Sequence, residues 1–186
     1  MENLNRKKVA ILATNGFEES ELREPMNALK KVNADVHIVS EKKGKIKSWN
    51  NNNWSTEYDV DKTISEASQE NYDALVLPGG VINPDMLRRN EEGIRFVKSF
   101  FTHKKPVGAI CHAPSILAEA DVLQGRKITS FNSIKRDLVN AGAKWEDSEV
   151  VVDEGLVTSR TPDDLPAFTS KLVEEIYEGK HQMQTA

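Results

Sequence analysis

Cysteine is nearly absent from this sequence. Cys111 stands alone among 186 residues, so no disulfide can form within the chain. A lone thiol suits a reducing compartment, and the cytoplasm is the expected location. Long apolar runs are missing as well, and none approaches the length of a membrane span. The opening residues Met1 to Arg6 are polar and lack the apolar stretch of a secretory leader, so no membrane partner is expected. Charge of one sign is equally scarce. The formal net charge is −4 and the Lys and Arg residues are scattered, which leaves no electrostatic footprint for nucleic acid. No Gly-x-Gly-x-x-Gly follows the first apolar run, no Walker-type phosphate loop occurs, and no serine sits in a Gly-x-Ser-x-Gly elbow. The histidines His37, His103, His112 and His181 show no metal-ligand spacing with Cys111, so neither a metal nor an organic cofactor is expected.

What is present is an alternation of buried-strand and helix patterns. Charged residues make up 29% and apolar residues 38%, an ordinary globular balance. No linker, repeat or low-complexity stretch divides the chain, so residues 1–186 are expected to form a single domain with its core at about 8–177. Lys8 to Ala13, Val36 to Val39, Tyr72 to Leu77 and the run into Cys111 read as strands buried on both faces. Helical spacing appears from Glu18 to Lys31, from Glu91 to His103, from Pro114 to Ala120 and from Ser133 to Ala141. Strand and helix in this order predict an α/β fold with a mainly parallel sheet and helices on both sides. Two hairpins decorate it, one turning at the asparagines between Trp49 and Trp54, the other at Glu154-Gly155. Thr161 to Asp164 opens the last helix with a capping hydroxyl, a proline and two carboxylates, whose role is structural. The polar tail from Gly179 is expected to fray.

Ligands of parallel α/β sheets bind beyond the carboxyl ends of the strands. The loop from Asn15 to Glu21, the Pro78-Gly79-Gly80 turn, the Cys111-His112 elbow and the loop near Phe131 arrive there. A strand-to-helix elbow exposes its side chain, and a helix N-terminus favours a thiolate, which makes Cys111 the candidate nucleophile. A lone cysteine is also compatible with simple burial. His112 serves as base only if the elbow turns its ring toward the sulfur, because neighbours in extended chain point apart. Gly79 and Gly80 either turn the chain or let backbone N–H groups approach a ligand, with Gly80 and His112 supplying an oxyanion pair. Glu18, Glu19 and Glu21 either stabilise the first helix turn or send one carboxyl inward to share a proton with the cysteine.

Five segments then carry a resemblance: Phe17 to Leu22 (FEESEL), Leu77 to Gly80 (LPGG), Asn83 to Arg88 (NPDMLR), Ala109 to Pro114 (AICHAP) and Thr158 to Leu165 (TSRTPDDL). In this order they resemble the DJ-1/PfpI family, in particular its PfpI-like branch of bacterial stress proteins and intracellular cysteine peptidases. The resemblance implies a flavodoxin-like three-layer sandwich related to class I glutamine amidotransferases. It places Cys111 as the reactive cysteine and His112 as the histidine that follows it. Glu21 matches the buried acid beside the sulfur, Glu18 a second acid, and Gly80 the oxyanion-hole glycine. Asp85 falls where an acid reaches a histidine across a subunit interface, which implies a homodimer or larger homo-oligomer.

Some positions depart from the family pattern. Ala113 replaces the usual glycine after the Cys-His pair, and Phe131 stands where archaeal relatives carry tyrosine. Trp49 lies in a hairpin that replaces a lysine- and glycine-containing segment, so it lines the pocket mouth or fills an interface. Gly79, Trp49 and Phe131 are the expected substrate-side residues. The implied activity is a stress-response cysteine-nucleophile hydrolase, deglycase- or glyoxalase-like, acting on small reactive carbonyls or their adducts. The alternatives are an intracellular cysteine peptidase acting on peptides, and a non-catalytic redox sensor or chaperone-like stress protein.

Overall fold

A computed structural model describes residues 3–186, so Met1 and Glu2 of the polar start lie outside the described residues. In chain order the regular elements are β1 (Lys8–Leu12), α1 (Glu19–Lys31), β2 (Asp35–Ser40), β3 (Lys45–Asn50), β4 (Asn53–Asp59), β5 (Lys62–Thr63), β6 (Ala74–Leu77), α2 (Ile82–Arg88), α3 (Glu91–Thr102), β7 (Val107–Ile110), α4 (Pro114–Glu119), β8 (Lys127–Ile128), α5 (Lys135–Asn140), β9 (Lys144–Trp145), β10 (Val151–Asp153), β11 (Leu156–Ser159) and α6 (Leu165–Glu178). The main sheet runs β10-β11-β7-β6-β1-β2-β5. Every neighbouring pair is parallel except β10 with β11.

Alternation along the strands divides the core into two layers. Ala10, Leu12, Leu75, Leu77, Val107 and Ala109 face a cluster with Phe96, Phe100 and Leu117 from α3 and α4. Val9, Ile11, Ala74 and Val76 face the other side, against Leu22 and Leu29 of α1 and Phe168 and Leu172 of α6. Gly108 lets α6 come close, since a Cβ there would lie 2.9 Å from Leu172 Cδ1. The result is the expected three-layer α/β sandwich. It follows because strands buried on both faces need a helical layer over each.

The β3–β4 hairpin turns at Asn51 and Asn52, both at positive φ (49° and 60°), a geometry asparagine tolerates well. Trp49 pairs across it with Trp54, their rings edge to face at 5.3 Å. The hairpin clamps the loop after β1: the Trp49 N–H donates to Phe17 O, and the Gly16 N–H donates to Lys47 O, each at 2.8 Å. Glu154 and Gly155 turn the β10–β11 hairpin as expected. The Ser133–Ala141 segment divides into a 3₁₀ turn (Asn132–Ile134) and the shorter α5. Buried Asp164 accepts from the Arg160 guanidinium and from the Arg160 N–H, each at 3.0 Å, so its role is structural.

The tail departs from expectation. It is pinned, not frayed. The His181 N–H donates to Lys104 O at 3.0 Å and the His181 ring meets Glu175 at 3.2 Å. Gln184 is buried, and Arg126 reaches the Thr185 carbonyl. Polar composition says little when the partners are buried polar groups of the fold itself. Among the described residues no helix is long and apolar enough to cross a membrane.

Candidate active site

β7 ends at Ile110 and α4 begins at Pro114, and the chain reverses its backbone hand in between. Cys111 sits at φ +63°, a left-handed conformation that costs a residue with a Cβ about 1–2 kcal/mol. Two hydrogen bonds hold it there. The Cys111 N–H donates to Ser159 O of β11 at 3.0 Å, and its carbonyl accepts the Phe131 N–H at 2.9 Å. The same twist swings the next side chain back, so His112 Nδ1 lies 3.2 Å from Cys111 Sγ. The elbow is not extended, so the condition set for His112, a ring turned toward the sulfur, is met. Burial holds the His112 pKa below its ordinary value, favouring neutral imidazole. Ala113 is fully buried in the core.

The Pro78-Gly79-Gly80 turn meets this elbow at β6. A Cβ on Gly79 would lie 2.5 Å from Glu21 Oε2 and 2.7 Å from Cys111 Cβ. Gly80 is at φ +75°, and a Cβ there would strike Gly16 O at 2.6 Å and Glu18 N at 2.8 Å. Both glycines are therefore demanded by close backbone approach. The N–H groups of Gly80 and His112 act on the sulfur, each lowering the thiol pKa. Asn83, fully buried at the start of α2, braces the turn. It donates to Pro78 O at 2.8 Å and accepts the Thr14 N–H at 2.7 Å. Its role was not legible from sequence, where Asn83 served only as part of a motif.

The three acids after β1 have separate tasks. Glu19 ties the hairpin to α1, accepting from Ser48 and Thr56 at 3.1 Å each, and its pKa is lowered, chiefly by hydrogen bonding from hydroxyls. Glu21 is fully buried, accepts the Gly79 N–H at 2.8 Å and lies beside the Cys111 sulfur. Burial pushes its pKa up to about 8, with the Glu18 charge adding to the rise. Glu18 is half-buried and is itself raised by burial. The Cys111 thiol is raised too, first by burial and then by Glu21. A dry pocket shelters one negative charge poorly and two worse, so the thiol and the Glu21 carboxyl each keep a proton near neutrality.

Beyond His112, the chain supplies two neighbours. Phe131 stacks on the imidazole with centroids 4.6 Å apart, and Ser133 Oγ lies 3.0 Å from His112 Nε2. Ser133 was not singled out from sequence, and the only signal was its place two residues after Phe131. Trp49 forms a bridge with Glu18 and is half-buried beside that acid. Asp85 is exposed on α2, and its carboxylate has no hydrogen bond or ion pair among the described residues. The fold thus brings together Cys111, His112, Glu21, Glu18, Gly79, Gly80, Phe131 and Trp49, and leaves Asp85 outside. A thiol beside an imidazole, a protonatable carboxyl and two backbone donors are groups that acyl-transfer or carbonyl-addition chemistry can use.

Known proteins resemble this chain over most of its length. A Bacillus subtilis protein named general stress protein 18 is 45% identical over 163 residues, 87% of this chain and 93% of its own. An Escherichia coli protein named protein/nucleic acid deglycase 2 is also 45% identical over 163 residues, with the same coverage of 87% and 93%. The crystal structure of Drosophila melanogaster DJ-1beta superposes with a TM-score of 0.84 at 26% identity, over 92% of this chain and 90% of that one. The DJ-1/PfpI family model matches residues 7–175. With the parallel sandwich, the strained cysteine elbow and the buried glutamate in place, this match leads to one conclusion: the chain belongs to the DJ-1/PfpI family.

Proposed function

We propose that the protein is a cytoplasmic stress-response enzyme that uses Cys111 as a nucleophile on small reactive carbonyls or their adducts, in the manner of a deglycase or glyoxalase-like hydrolase. The observation that carries this is the 3.2 Å approach of His112 Nδ1 to Cys111 Sγ at an elbow held at φ +63°. The names of relatives as a deglycase and a general stress protein support it.

In this mechanism Cys111 Sγ attacks the carbonyl carbon of the substrate, forming the S–C bond as the C=O π pair moves to oxygen, while His112 Nδ1 takes the thiol proton. The carbonyl oxygen becomes an oxyanion accepting from the Gly80 and His112 N–H groups. Protonated Glu21 donates toward the sulfur and keeps a second negative charge out of the pocket. His112 then returns its proton to the oxygen or, in an amine adduct, to the nitrogen that leaves as the tetrahedral carbon re-forms C=O and its C–N bond breaks. Glu18, with Trp49 and Phe131, borders the substrate, which no metal or cofactor need accompany.

Asp85 enters only through assembly. It shares the exposed start of α2 with Val81 and Ile82, which are 64% and 38% exposed next to Gly80. That apolar rim suits a homodimer or larger homo-oligomer that encloses the pocket.

The test is consumption of methylglyoxal, glyoxal and their amine adducts by wild type and Cys111→Ala. Turnover by wild type that is lost in Cys111→Ala is expected. Inert wild-type protein sinks the proposal. Cysteine-dependent cleavage of fluorogenic peptides would replace it with peptidase activity, and stoichiometric peroxide oxidation without turnover would replace it with redox sensing.

A further inference from the structure

Both nitrogens of His112 are engaged within one chain. Nδ1 faces Cys111 Sγ at 3.2 Å, and Nε2 faces Ser133 Oγ at 3.0 Å. The Phe131 ring lies nearly parallel to the imidazole, 23° from coplanar, and restrains its tilt. The segment carrying Phe131 and Ser133 is fixed to the elbow through its backbone. The Phe131 N–H donates to Cys111 O at 2.9 Å, and the Ile134 N–H donates to Phe131 O at 3.3 Å. The Trp145 indole braces the same loop by donating to Ser130 Oγ at 2.9 Å. The serine hydroxyl is thus anchored relative to the sulfur by a chain of main-chain contacts.

We propose that Ser133 is the positioning residue that sets the orientation and tautomer of His112, completing a Cys111–His112–Ser133 line inside a single subunit. This deepens the assignment of Cys111 and His112 as nucleophile and base and rests on it. In the resting state Nε2–H donates to Ser133 Oγ, which leaves the Nδ1 lone pair directed at the thiol. When Nδ1 takes the thiol proton, the imidazolium keeps Nε2–H on Oγ, and the new Nδ1–H faces the thiolate. Serine neither gains nor loses a proton, and its own hydrogen points to solvent, where this residue is exposed. Return of the Nδ1 proton to the product restores the starting tautomer.

The experiment is long-range ¹H–¹⁵N spectroscopy of the histidine-labelled full-length protein, in wild type, Ser133→Ala, Ser133→Thr and Asp85→Asn. His112 resonances are assigned by their loss in His112→Gln. Wild type and Ser133→Thr are expected to show a protonated Nε2 and a bare Nδ1, whereas Ser133→Ala shifts toward a tautomeric mixture. On methylglyoxal, kcat of Ser133→Ala is expected to fall about tenfold at constant KM, as loss of one hydrogen bond implies, with Ser133→Thr restoring it. Ring resonances unchanged in Ser133→Ala overturn the proposal, as does a change confined to Asp85→Asn. The spectra need no turnover, so a protein inert toward carbonyls would refute the proposed activity and leave this test intact.

Discussion

Glu21 Oε2 accepts the Gly79 N–H at 2.8 Å, while its other oxygen has no hydrogen-bond partner among the described residues and the carboxyl lies beside the Cys111 sulfur. A buried carboxylate oxygen without a donor is costly, whereas a protonated one satisfies itself by donating to sulfur. The geometry and the raised pKa therefore agree on a neutral Glu21 at physiological pH.

Stability should carry the imprint of that proton. The ordinary value of 4.5 applies to the unfolded chain and about 8 to the folded one. Between them the native state holds a proton that the unfolded state has lost, so stability falls as pH rises. The contribution is complete below pH 4.5 and lost by the time pH passes 8, an order of about 5 kcal/mol. Glu21→Gln, which cannot titrate, is expected to flatten urea-midpoint profiles across this window. Profiles of equal slope in both proteins would refute the assignment.

Cys111 occupies a conformation suited to glycine. Cys111→Gly and Cys111→Ala both remove the nucleophile, and turnover of carbonyl substrates is expected to disappear in each. Glycine also relieves the left-handed strain. Cys111→Gly should therefore unfold at a free energy about 1 kcal/mol above that of Cys111→Ala. Chemical denaturation of the two variants side by side checks this order.

Gly80 tolerates no side chain. Its φ is +75°, and a Cβ would meet the backbone atoms Gly16 O and Glu18 N at 2.6 Å and 2.8 Å, which leaves the neighbours nowhere to move. Gly80→Ala is expected to lose about 2 kcal/mol or more in stability. Its activity should fall by about a hundredfold even where it folds, because the donor to the oxyanion moves away. Activity at the wild-type level in a folded variant would remove Gly80 from the site.

Deleting residues 180–186 tests the pinned tail. The deletion removes the His181–Glu175 pair and the carbonyl that meets Arg126. A loss of about 2 kcal/mol is expected, which lowers Tm by about 4–8 °C for a chain of this size. An unchanged melt would mean that the tail adds nothing.

Legibility in the sequence followed the range of the interactions. The apolar run Lys8 to Ala13 and the Glu154-Gly155 and Asn51-Asn52 turns are local matters of burial and backbone hand, so the parallel sandwich could be read directly. Cys111 could be picked out because an apolar strand meets a helix start there. Among Glu18, Glu19 and Glu21, sequence offered no choice: three acids in one helical turn differ only in which way each faces. The packing of α1 against the hairpin and the Pro78-Gly79-Gly80 turn sends Glu19 to the hydroxyls of β3 and β4 and Glu21 to the sulfur.

The sequence by itself determined the sheet order's raw material, the family and the candidate nucleophile, since apolar periodicity and short motifs are properties of neighbouring residues. Only the tertiary structure decided that His112 turns back to Cys111, that Ser133 meets it from 21 residues away, and that the polar tail is pinned to the fold. Those outcomes depend on a left-handed backbone at one cysteine and on contacts between distant segments. Neither leaves a local trace, because each is stabilised by partners that the chain brings together only on folding.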